Sequence, residues 1–176
     1  LGERSAAYRL HAQRELLRRG ATEGIWRKVA QAASKSGAPL YGRVAAIYTL
    51  AQFGDEASRD QLLEMTTDAA VREFVLRALT DRRPALKGLP LAPFVAALQD
   101  ANPRVRAQAL ICLGRLGRAE AAAAMLPLTK RRPNEPKPTA TPLHKQPDPG
   151  RVIPHLAVRA LAGCDAVEAC LEAIPG

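Results

Sequence analysis

Residues 102–117 read Asn102-Pro-Arg-Val-Arg-Ala-Gln-Ala-Leu-Ile-Cys-Leu-Gly-Arg-Leu-Gly117, and this stretch recurs along the chain. Weaker copies are Gly42-Arg-Val-Ala-Ala-Ile-Tyr-Thr-Leu-Ala-Gln-Phe-Gly54, Val71-Arg-Glu-Phe-Val-Leu-Arg-Ala-Leu79 and Ile153-Pro-His-Leu-Ala-Val-Arg-Ala-Leu161. In each copy, apolar residues stand three and four positions apart, as in a helix that buries one face. The recurrence predicts an all-α fold, an α-solenoid of repeated helical pairs.

The copies share a common frame of three apolar positions. One position holds Leu50, Leu79, Leu113 and Leu161. The residue three places earlier is Ile47, Leu76, Leu110 or Val158, and the residue four places earlier is Ala46, Val75, Ala109 or Ala157. We expect these positions to form the buried stripe of each first helix, with the small residue allowing neighbouring helices to approach closely.

A second helix is predicted after each first one, over residues 57–66, 91–99, 119–128 and 165–174. Residues 5–19 and 22–34 supply a degenerate pair at the start, which brings the total to about five pairs. Three glycines, Gly54, Gly117 and Gly163, stand where a first helix should end. Asp68, Asn102 and Asp165 are placed to cap the helices that follow them.

An insertion at residues 129–150 interrupts the array. It contains six prolines, at positions 133, 136, 138, 142, 147 and 149, and almost no apolar residue. Such a segment cannot be helical or bury a core, and we expect an exposed loop that is either functional or merely tolerated. The prediction is therefore a single repeat domain over 1–176 with a proline-rich inserted loop at 129–150.

Composition restricts the classes of partner. Hydrophobic residues make up 47% of the chain but aromatic residues only 4%, which argues against a ligand pocket walled by rings. The formal charge of +9 favours an anionic partner such as nucleic acid or an acidic protein. The alternative is that coding bias toward Ala, Arg and Gly accounts for much of this charge without any function.

Residues suited to catalysis or metal binding are sparse. The chain has no phosphate-binding glycine motif and no nucleophile next to a plausible histidine base. His144, Asp148 and His155 could converge on a metal, but a solvated His144 and a half-buried His155 are the simpler interpretation. Cys112 falls on an apolar stripe, and the odd number of cysteines argues against a disulfide framework. We therefore predict no catalytic residue, no metal and no cofactor.

The arginines are the best candidates for contacting a partner. Arg43, Arg72 and Arg106 occupy one equivalent position of successive first helices and could form a basic strip. The alternative is a ladder in which Asp68 and Asp100 pair with these arginines and tie neighbouring repeats together. The insertion adds four further candidates, Lys130, Arg131, Arg132 and His144.

The repeat motif resembles the HEAT family in its short-period form. The resemblance rests on the Asn-Pro-x-Val-Arg start with the downstream Ala-Leu-x-x-Leu-Gly, and it covers roughly residues 40–174. It implies a non-catalytic scaffold or protein-docking module whose partner is another protein or a flanking domain of the same parent chain. The alternative is electrostatic binding of nucleic acid. No apolar run is long enough to span a membrane.

A narrower resemblance concerns Leu10-His-Ala-Gln-Arg-Glu-Leu-Leu-Arg-Arg-Gly20 and Arg151-Val-Ile-Pro-His-Leu-Ala-Val-Arg-Ala-Leu161. Both are similar to segments of exported, haem-binding, sorbosone-dehydrogenase-like proteins of planctomycetes and verrucomicrobia. This resemblance implies a periplasmic or cell-envelope location and redox work elsewhere in a parent chain, since no haem motif is present here. Because the chain begins at Leu1, we expect a fragment or a processed product.

Overall fold

The computed structural model describes residues 1–134 and 148–174, and every regular element in those ranges is helical. Within those ranges, ten α-helices follow one another in alternating first and second positions. They form two compact units, Leu1–Lys87 and Gly88–Gly176. The predicted all-α class of five helical pairs is confirmed.

The first unit is organised around its third helix. Its helices are α1 (Ala6–Arg19), α2 (Glu23–Ser34), α3 (Leu40–Phe53), α4 (Glu56–Glu64) and α5 (Arg72–Thr80). The other four helices all contact α3. The predicted stripe residues Ile47 and Leu50 of α3 are fully buried with Leu76 of α5, so the repeat frame correctly identified this core.

The second unit is organised around two first helices. Its helices are α6 (Ala92–Ala97), α7 (Pro103–Leu116), α8 (Ala122–Met125), α9 (Pro149–Gly163) and α10 (Val167–Glu172). Helix α7 packs against α6 and α9, and α10 packs against α8. Phe94, Leu110, Leu113 and Met125 are fully buried between them.

The predicted helix ends at Gly54, Gly117 and Gly163 and the cap at Asn102 are confirmed, whereas Asp68 does not cap α5, whose N-cap is Val71. The side chain of Asn102 accepts a hydrogen bond from the Arg104 amide (3.0 Å) and caps α7. Gly54 and Gly117 end their helices in the left-handed conformation, with φ of 73° and 63°. Asp165 does not cap α10: it adopts a φ of 49° itself, and Ala166 stands at the N-cap.

The second helices of the second unit are shorter than predicted. Helix α8 spans four residues and continues as a 3-10 turn over Leu126–Thr129. Pro127 lies in that turn and has no amide hydrogen to donate to an α-helical bond, so the backbone changes its hydrogen-bonding pattern there.

Both ends of the proline-rich segment are more ordered than predicted. Thr129 ends the 3-10 turn, and α9 begins at Pro149, so these positions do not belong to a loop. Asp148 caps α9 by accepting a hydrogen bond from the Gly150 amide (2.9 Å), and proline is favoured in a first helical turn. The remaining prediction for 135–147 lies outside the described residues.

Candidate partner-binding surfaces

Arg43 lies on α3 and points into the first unit, where it is only 4% exposed. Its Nε donates a hydrogen bond to the carbonyl of Ala33 (2.8 Å), which lies in the last turn of α2. Its Nη2 donates to Oδ2 of Asp68 (2.5 Å), and this hydrogen bond holds the pKa of the Asp68 carboxyl below its usual range. Arg43 therefore ties α2 and the start of the next repeat to α3.

Arg72 and Arg106 form equivalent ties in later repeats. Each donates to the carbonyls six and five residues before it, in the turn that precedes its own helix. The hydrogen bonds join Arg72 Nε to Thr66 O (2.6 Å), Arg72 Nη2 to Thr67 O (2.8 Å), and Arg106 Nη1 to Asp100 O (2.8 Å) and Ala101 O (3.1 Å). Arg106 is 4% exposed. A strip of exposed arginines therefore does not run through Arg43 and Arg106, because both are buried.

Two of the cations at the start of the insertion also bind within the second unit. Both terminal nitrogens of Arg131 reach the carboxylate of Asp148 (3.2 and 3.4 Å). Its guanidinium lies over Gly150, where an added Cβ would be only 2.5 Å from Arg131 Cζ. Lys130 is exposed to solvent, and His144 lies outside the described residues.

Arg132 is held by the residues that follow α6. Its Nη2 donates to the carbonyl of Leu98 (3.1 Å) and to Oε1 of Gln99 (3.0 Å). Of the three predicted cations at the start of the insertion, only Lys130 therefore lacks a described hydrogen bond to the body of the unit.

A different basic surface lies on α7 and α9. These two helices contain no aspartate or glutamate, and four of their arginines are exposed: Arg104, Arg115, Arg151 and Arg159. Sequence reasoning concentrated on the repeated arginine position and missed this surface. The signal was present in the complete absence of acidic residues from 103–116 and 149–163.

Helices α7 and α9 approach each other closely because small residues line their contact. A Cβ added at Gly114 would lie 3.1 Å from the Cα of Ala160. A Cβ added at Gly163 would lie 2.9 Å from the carbonyl oxygen of Gly114. Gly163 is the last residue of α9, as its place in the repeat predicted, and its missing side chain also permits this close approach.

The contact leaves a groove of about 490 Å³ on the surface of the second unit. Its floor consists of the apolar side chains of Leu110, Ile111 and Leu156, and its sides are formed by Arg115 and Arg159. The described lining residues combine an apolar floor with two guanidinium groups, which suits an apolar group that stands next to an anionic one.

A second, more apolar surface lies on α9 and α10, and we name it the α9/α10 face. It is a groove of about 610 Å³ to which Val158, Val167, Leu171 and Ile174 contribute side chains that are more than half exposed. The repeat frame predicted that Val158 is buried, and this prediction is wrong. The equivalent residues of the earlier repeats are each covered by a neighbouring helix, whereas Val158 is 56% exposed.

A cavity of about 310 Å³ in the first unit is lined by both polar and apolar residues, including Asp55. The Asp55 carboxylate caps α4 by accepting hydrogen bonds from the Ser58 amide (2.7 Å) and the Ser58 hydroxyl (3.1 Å). Trp26 Nε1 donates to the same hydroxyl (3.0 Å). These groups form a structural cap that connects α2 with α4.

None of the three cysteines forms a disulfide. Cys112 is fully buried, as its place on the apolar stripe predicted. Cys164 donates to the carbonyl of Leu113 (3.4 Å), and burial raises the pKa of its thiol. Across residues 1–134 and 148–174, no three His, Cys, Asp or Glu side chains are grouped as metal ligands. Within those same ranges, no helix combines the length and apolar character required to cross a bilayer.

Comparison with protein families agrees with the helical pairing. The model for HEAT repeats matches residues 61–137, and the model for the PBS lyase HEAT-like repeat matches residues 42–68. A comparison with curated proteins gave no significant match. HEAT repeats generally act as scaffolds for protein interaction and are typically non-catalytic. Residues 42–137 are therefore similar to HEAT-type repeats, and the chain is an all-α protein of the α-solenoid class.

Proposed function

We propose that this chain is a non-catalytic docking module that binds an acidic protein segment in the groove between α7 and α9. The observation that carries the proposal is the combination of an apolar floor with Arg115 and Arg159 on two helices that lack any carboxylate. A partner that matches this surface presents a large aliphatic side chain flanked by aspartate or glutamate.

The energetics favour a reversible interaction. Burying one large aliphatic side chain contributes about 1.5–3 kcal/mol. Each ion pair between a surface arginine and a carboxylate adds about 0.2–1 kcal/mol and weakens with salt. These contributions total about 2–5 kcal/mol, so we expect a dissociation constant of about 0.2 mM or weaker that rises with ionic strength.

The direct test is titration of the full chain with a fluorescent helical peptide in which leucines are spaced among glutamates. Reversing two charges, as Arg115→Glu with Arg159→Glu, should weaken binding about tenfold or more. Arg77→Glu with Arg83→Glu makes the same change of net charge in the first unit and should leave affinity nearly unchanged. Equal losses of affinity in both double variants would show that binding depends only on net charge, and they would overturn the proposed site.

Two control peptides separate the parts of the interaction. Replacing the leucines by serine removes the apolar side chains that contact the floor of the groove. Replacing the glutamates by lysine reverses the charge of the peptide. We expect both changes to abolish binding. A lysine peptide that bound as well as the acidic one would contradict the docking proposal.

Nucleic-acid binding remains the second candidate because the acid-free α7/α9 surface would also attract phosphates. It requires micromolar or tighter binding to duplex DNA that falls steeply with salt. DNA binding with no acidic-peptide binding would replace the docking proposal. The absence of DNA binding at low salt would exclude this alternative.

The proposed setting is a larger exported redox protein, in which this array supports flanking domains. The sequence similarity of segments 10–20 and 151–161 to sorbosone-dehydrogenase-like proteins supports this setting. Sequencing the coding region on both sides is the test. A propeller-encoding region upstream and a Cys-x-x-Cys-His motif downstream are the expected result, and start and stop codons adjoining residues 1 and 176 would contradict it.

A further inference from the structure

Two arginines, one from α7 and one from α9, flank the same groove. Arg115 and Arg159 are both exposed at its sides. A Cβ added at Gly114 would lie 3.1 Å from the Cα of Ala160, so the two backbones approach closely right beside these arginines. Since consecutive Cα atoms are about 3.8 Å apart, the Cα atoms of Arg115 and Arg159 lie no more than about 12 Å from each other. Both guanidinium groups can therefore reach a single anion in the groove.

The acidic residues nearest to the groove are engaged elsewhere. Among the described lining residues, Arg115 and Arg159 are the only charged side chains, and neither α7 nor α9 contains an aspartate or glutamate. Glu120 follows α7 and pairs with Arg118 (3.8 Å). Asp165 follows α9 and lines the α9/α10 face. The groove is therefore a positively charged site that an anionic ligand would neutralise.

The apolar floor lies about one helical turn from the two arginines. Ile111 precedes Arg115 by four residues, and Leu156 precedes Arg159 by three. Both spacings place the two side chains on one face of their helix, about 5.4 Å apart along its axis. A ligand that fills the groove therefore carries an apolar group and an anionic group about one helical turn apart.

Helices α7 and α9 run in the same direction, which puts both arginines towards the same end of the floor. A Cβ added at Gly114 would approach Ala160, and a Cβ added at Gly117 would approach the carbonyl oxygen of Gly163 (3.4 Å). Contacts that advance together along two helices require parallel axes. One anionic group at that end of the groove is therefore enough to contact both guanidinium groups.

A phosphate group matches this arrangement better than a carboxylate does. It carries a charge of about −1.5 to −2 at neutral pH and three acceptor oxygens, so it can accept hydrogen bonds from two arginines at once. Arginine presents a planar fork of donors that matches phosphate oxygens, whereas lysine offers only a point charge. A carboxylate has one charge, so a second acidic residue would be needed to neutralise the groove.

The apolar floor favours a protein as the carrier of this phosphate. Leu110, Ile111 and Leu156 form the floor, and the sugar-phosphate backbone of a nucleic acid has no aliphatic side chain to cover them. Proteins that bind single-stranded nucleic acid commonly stack its bases on aromatic side chains. The described lining residues of this groove include no aromatic residue.

We propose that the groove between α7 and α9 recognises a phosphorylated serine or threonine that stands one helical turn from a large aliphatic residue of the partner. Arg115 and Arg159 both contact the phosphate, and the aliphatic side chain covers Ile111 and Leu156. The inference rests on the proposed docking function and adds that phosphorylation of the partner switches docking on.

The test titrates the full chain with fluorescent helical peptides that contain one leucine and a variable position four residues before or after it. The variable position carries phosphoserine, glutamate or serine. In the better of the two orientations, phosphoserine should bind about tenfold more tightly than glutamate, and serine should not bind measurably. Equal binding of phosphoserine and glutamate would overturn phosphate recognition and leave the acidic docking proposal intact. Absence of binding by all of these peptides would overturn both.

Variants of the two arginines test whether they share one phosphate. Arg115→Gln and Arg159→Gln should each remove most of the preference for phosphoserine over glutamate, with helicity unchanged in circular dichroism. A single variant that keeps the full preference would contradict the shared contact. Arg115→Lys with Arg159→Lys retains both charges without the planar forks, and it should also lose much of the preference. An unchanged preference in this variant would show that charge alone is recognised, against the proposal.

The matched control removes two exposed arginines from the first unit, as Arg77→Gln with Arg83→Gln. It changes the net charge by the same amount as the loss of Arg115 and Arg159 together, and it should leave the preference for phosphoserine at its full value. A loss of preference in this control would show that the phosphate is not bound in the groove.

Two further ligands test the spacing and the class of partner. Phosphoserine placed two residues from the leucine lies on the opposite side of the peptide helix, and it should bind no better than glutamate at that position. A retained preference would contradict the spacing of one turn. A short DNA duplex should bind more weakly than the phosphopeptide. If the duplex binds more tightly and loses that affinity in Arg115→Gln with Arg159→Gln, the groove belongs to the nucleic-acid alternative and the proposal is overturned.

Discussion

Single arginine side chains connect consecutive repeats of this protein. A buried guanidinium loses its hydration, and the loss is offset only when hydrogen bonds and a counter-charge replace the water. Arg43 has both, in the Ala33 carbonyl and the Asp68 carboxylate. Arg72 and Arg106 also satisfy carbonyls that a helix end or turn would otherwise leave without a donor.

Replacing Arg43 by alanine should strongly destabilise the protein. The change leaves the Ala33 carbonyl and Asp68 without their donor, and we expect a loss of about 2–4 kcal/mol in the free energy of unfolding. Urea denaturation at neutral pH measures it. Arg77→Ala removes an exposed arginine from α5 and should change the same quantity by about 0.5 kcal/mol or less. A similar small effect for Arg43→Ala would show that the buried tie contributes little.

The Asp68 carboxylate should make stability depend on pH. Its pKa is lowered in the folded protein, chiefly by the hydrogen bond from Arg43, relative to about 3.9 in the unfolded chain. The stabilisation is therefore fully present above the unfolded pKa and is lost as pH falls through the folded pKa. Asp68→Asn should destabilise the protein at pH 7, and the difference from the unmodified chain should shrink as the pH is lowered below about 4. A difference that stays constant down to acid pH would contradict this assignment.

The sequence showed that Arg43, Arg72 and Arg106 occupy equivalent positions. It did not show whether their side chains face solvent or the interior of the protein. Arginine is usually exposed, so periodicity alone left a basic strip and an internal ladder as open alternatives. The carbonyls that Arg72 and Arg106 bind belong to turns, whose geometry a helical pattern does not encode. The ladder alternative placed Asp68 against an arginine of this position, but the sequence did not identify Arg43 as its partner.

At the scale of helices, glycine has two distinct roles that the sequence does not separate. Gly54 and Gly117 end helices in the left-handed conformation, as predicted from their positions. Gly163 follows the same motif but remains helical, and its missing side chain lets α9 approach the backbone of α7. The repeat pattern shows where a glycine stands in its own helix. It does not show which backbone of another repeat comes so close that only glycine fits.

Gly163→Ala should therefore destabilise the second unit although alanine favours helices. Its Cβ would meet the carbonyl oxygen of Gly114 at 2.9 Å, and separating the two backbones should cost about 1–3 kcal/mol. The matched control is Gly24→Ala in α2, where a Cβ meets nothing within 4 Å and should stabilise by up to about 1 kcal/mol. Thermal denaturation of both variants measures whether each substitution raises or lowers the stability of the protein. Stabilisation by both substitutions would contradict the close approach of α7 and α9.

The exposure of Val158 and the contact of Gly163 with α7 were both hidden from the sequence for the same reason. The spacing of apolar residues shows which side of α9 is apolar, but it does not show whether a neighbouring helix covers that side. The α9/α10 face was therefore unpredictable from periodicity, whereas the acid-free α7/α9 surface could have been found by counting charges along each helix.

For the molecule as a whole, the repeats determined the fold class before any individual contact was known. Five helical pairs, their order and most of their ends follow from apolar spacing and turn residues. Whether residues 1–176 unfold as one domain remains a prediction, since each of the two compact units has its own buried core. Coupling between adjacent repeats usually makes a short array cooperative.

The only tryptophan makes this prediction measurable. Trp26 belongs to the first unit and donates a hydrogen bond to Ser58, so its fluorescence reports unfolding there. Far-UV circular dichroism reports the helices of both units. A single cooperative domain requires the two denaturation curves to coincide. Separate midpoints would show that the units unfold independently.

The ion pair between Arg131 and Asp148 joins the two flanks of the intervening sequence, and its consequence is evolutionary. With the flanks anchored to the unit, doubling the length of sequence between them costs only about 0.6 kcal/mol of closure entropy. Even a whole domain could therefore be grafted at this point while the helical core keeps its packing. A gene insertion at this point in evolution, or a reporter domain inserted between the two anchors in the laboratory, would add a new activity to the array.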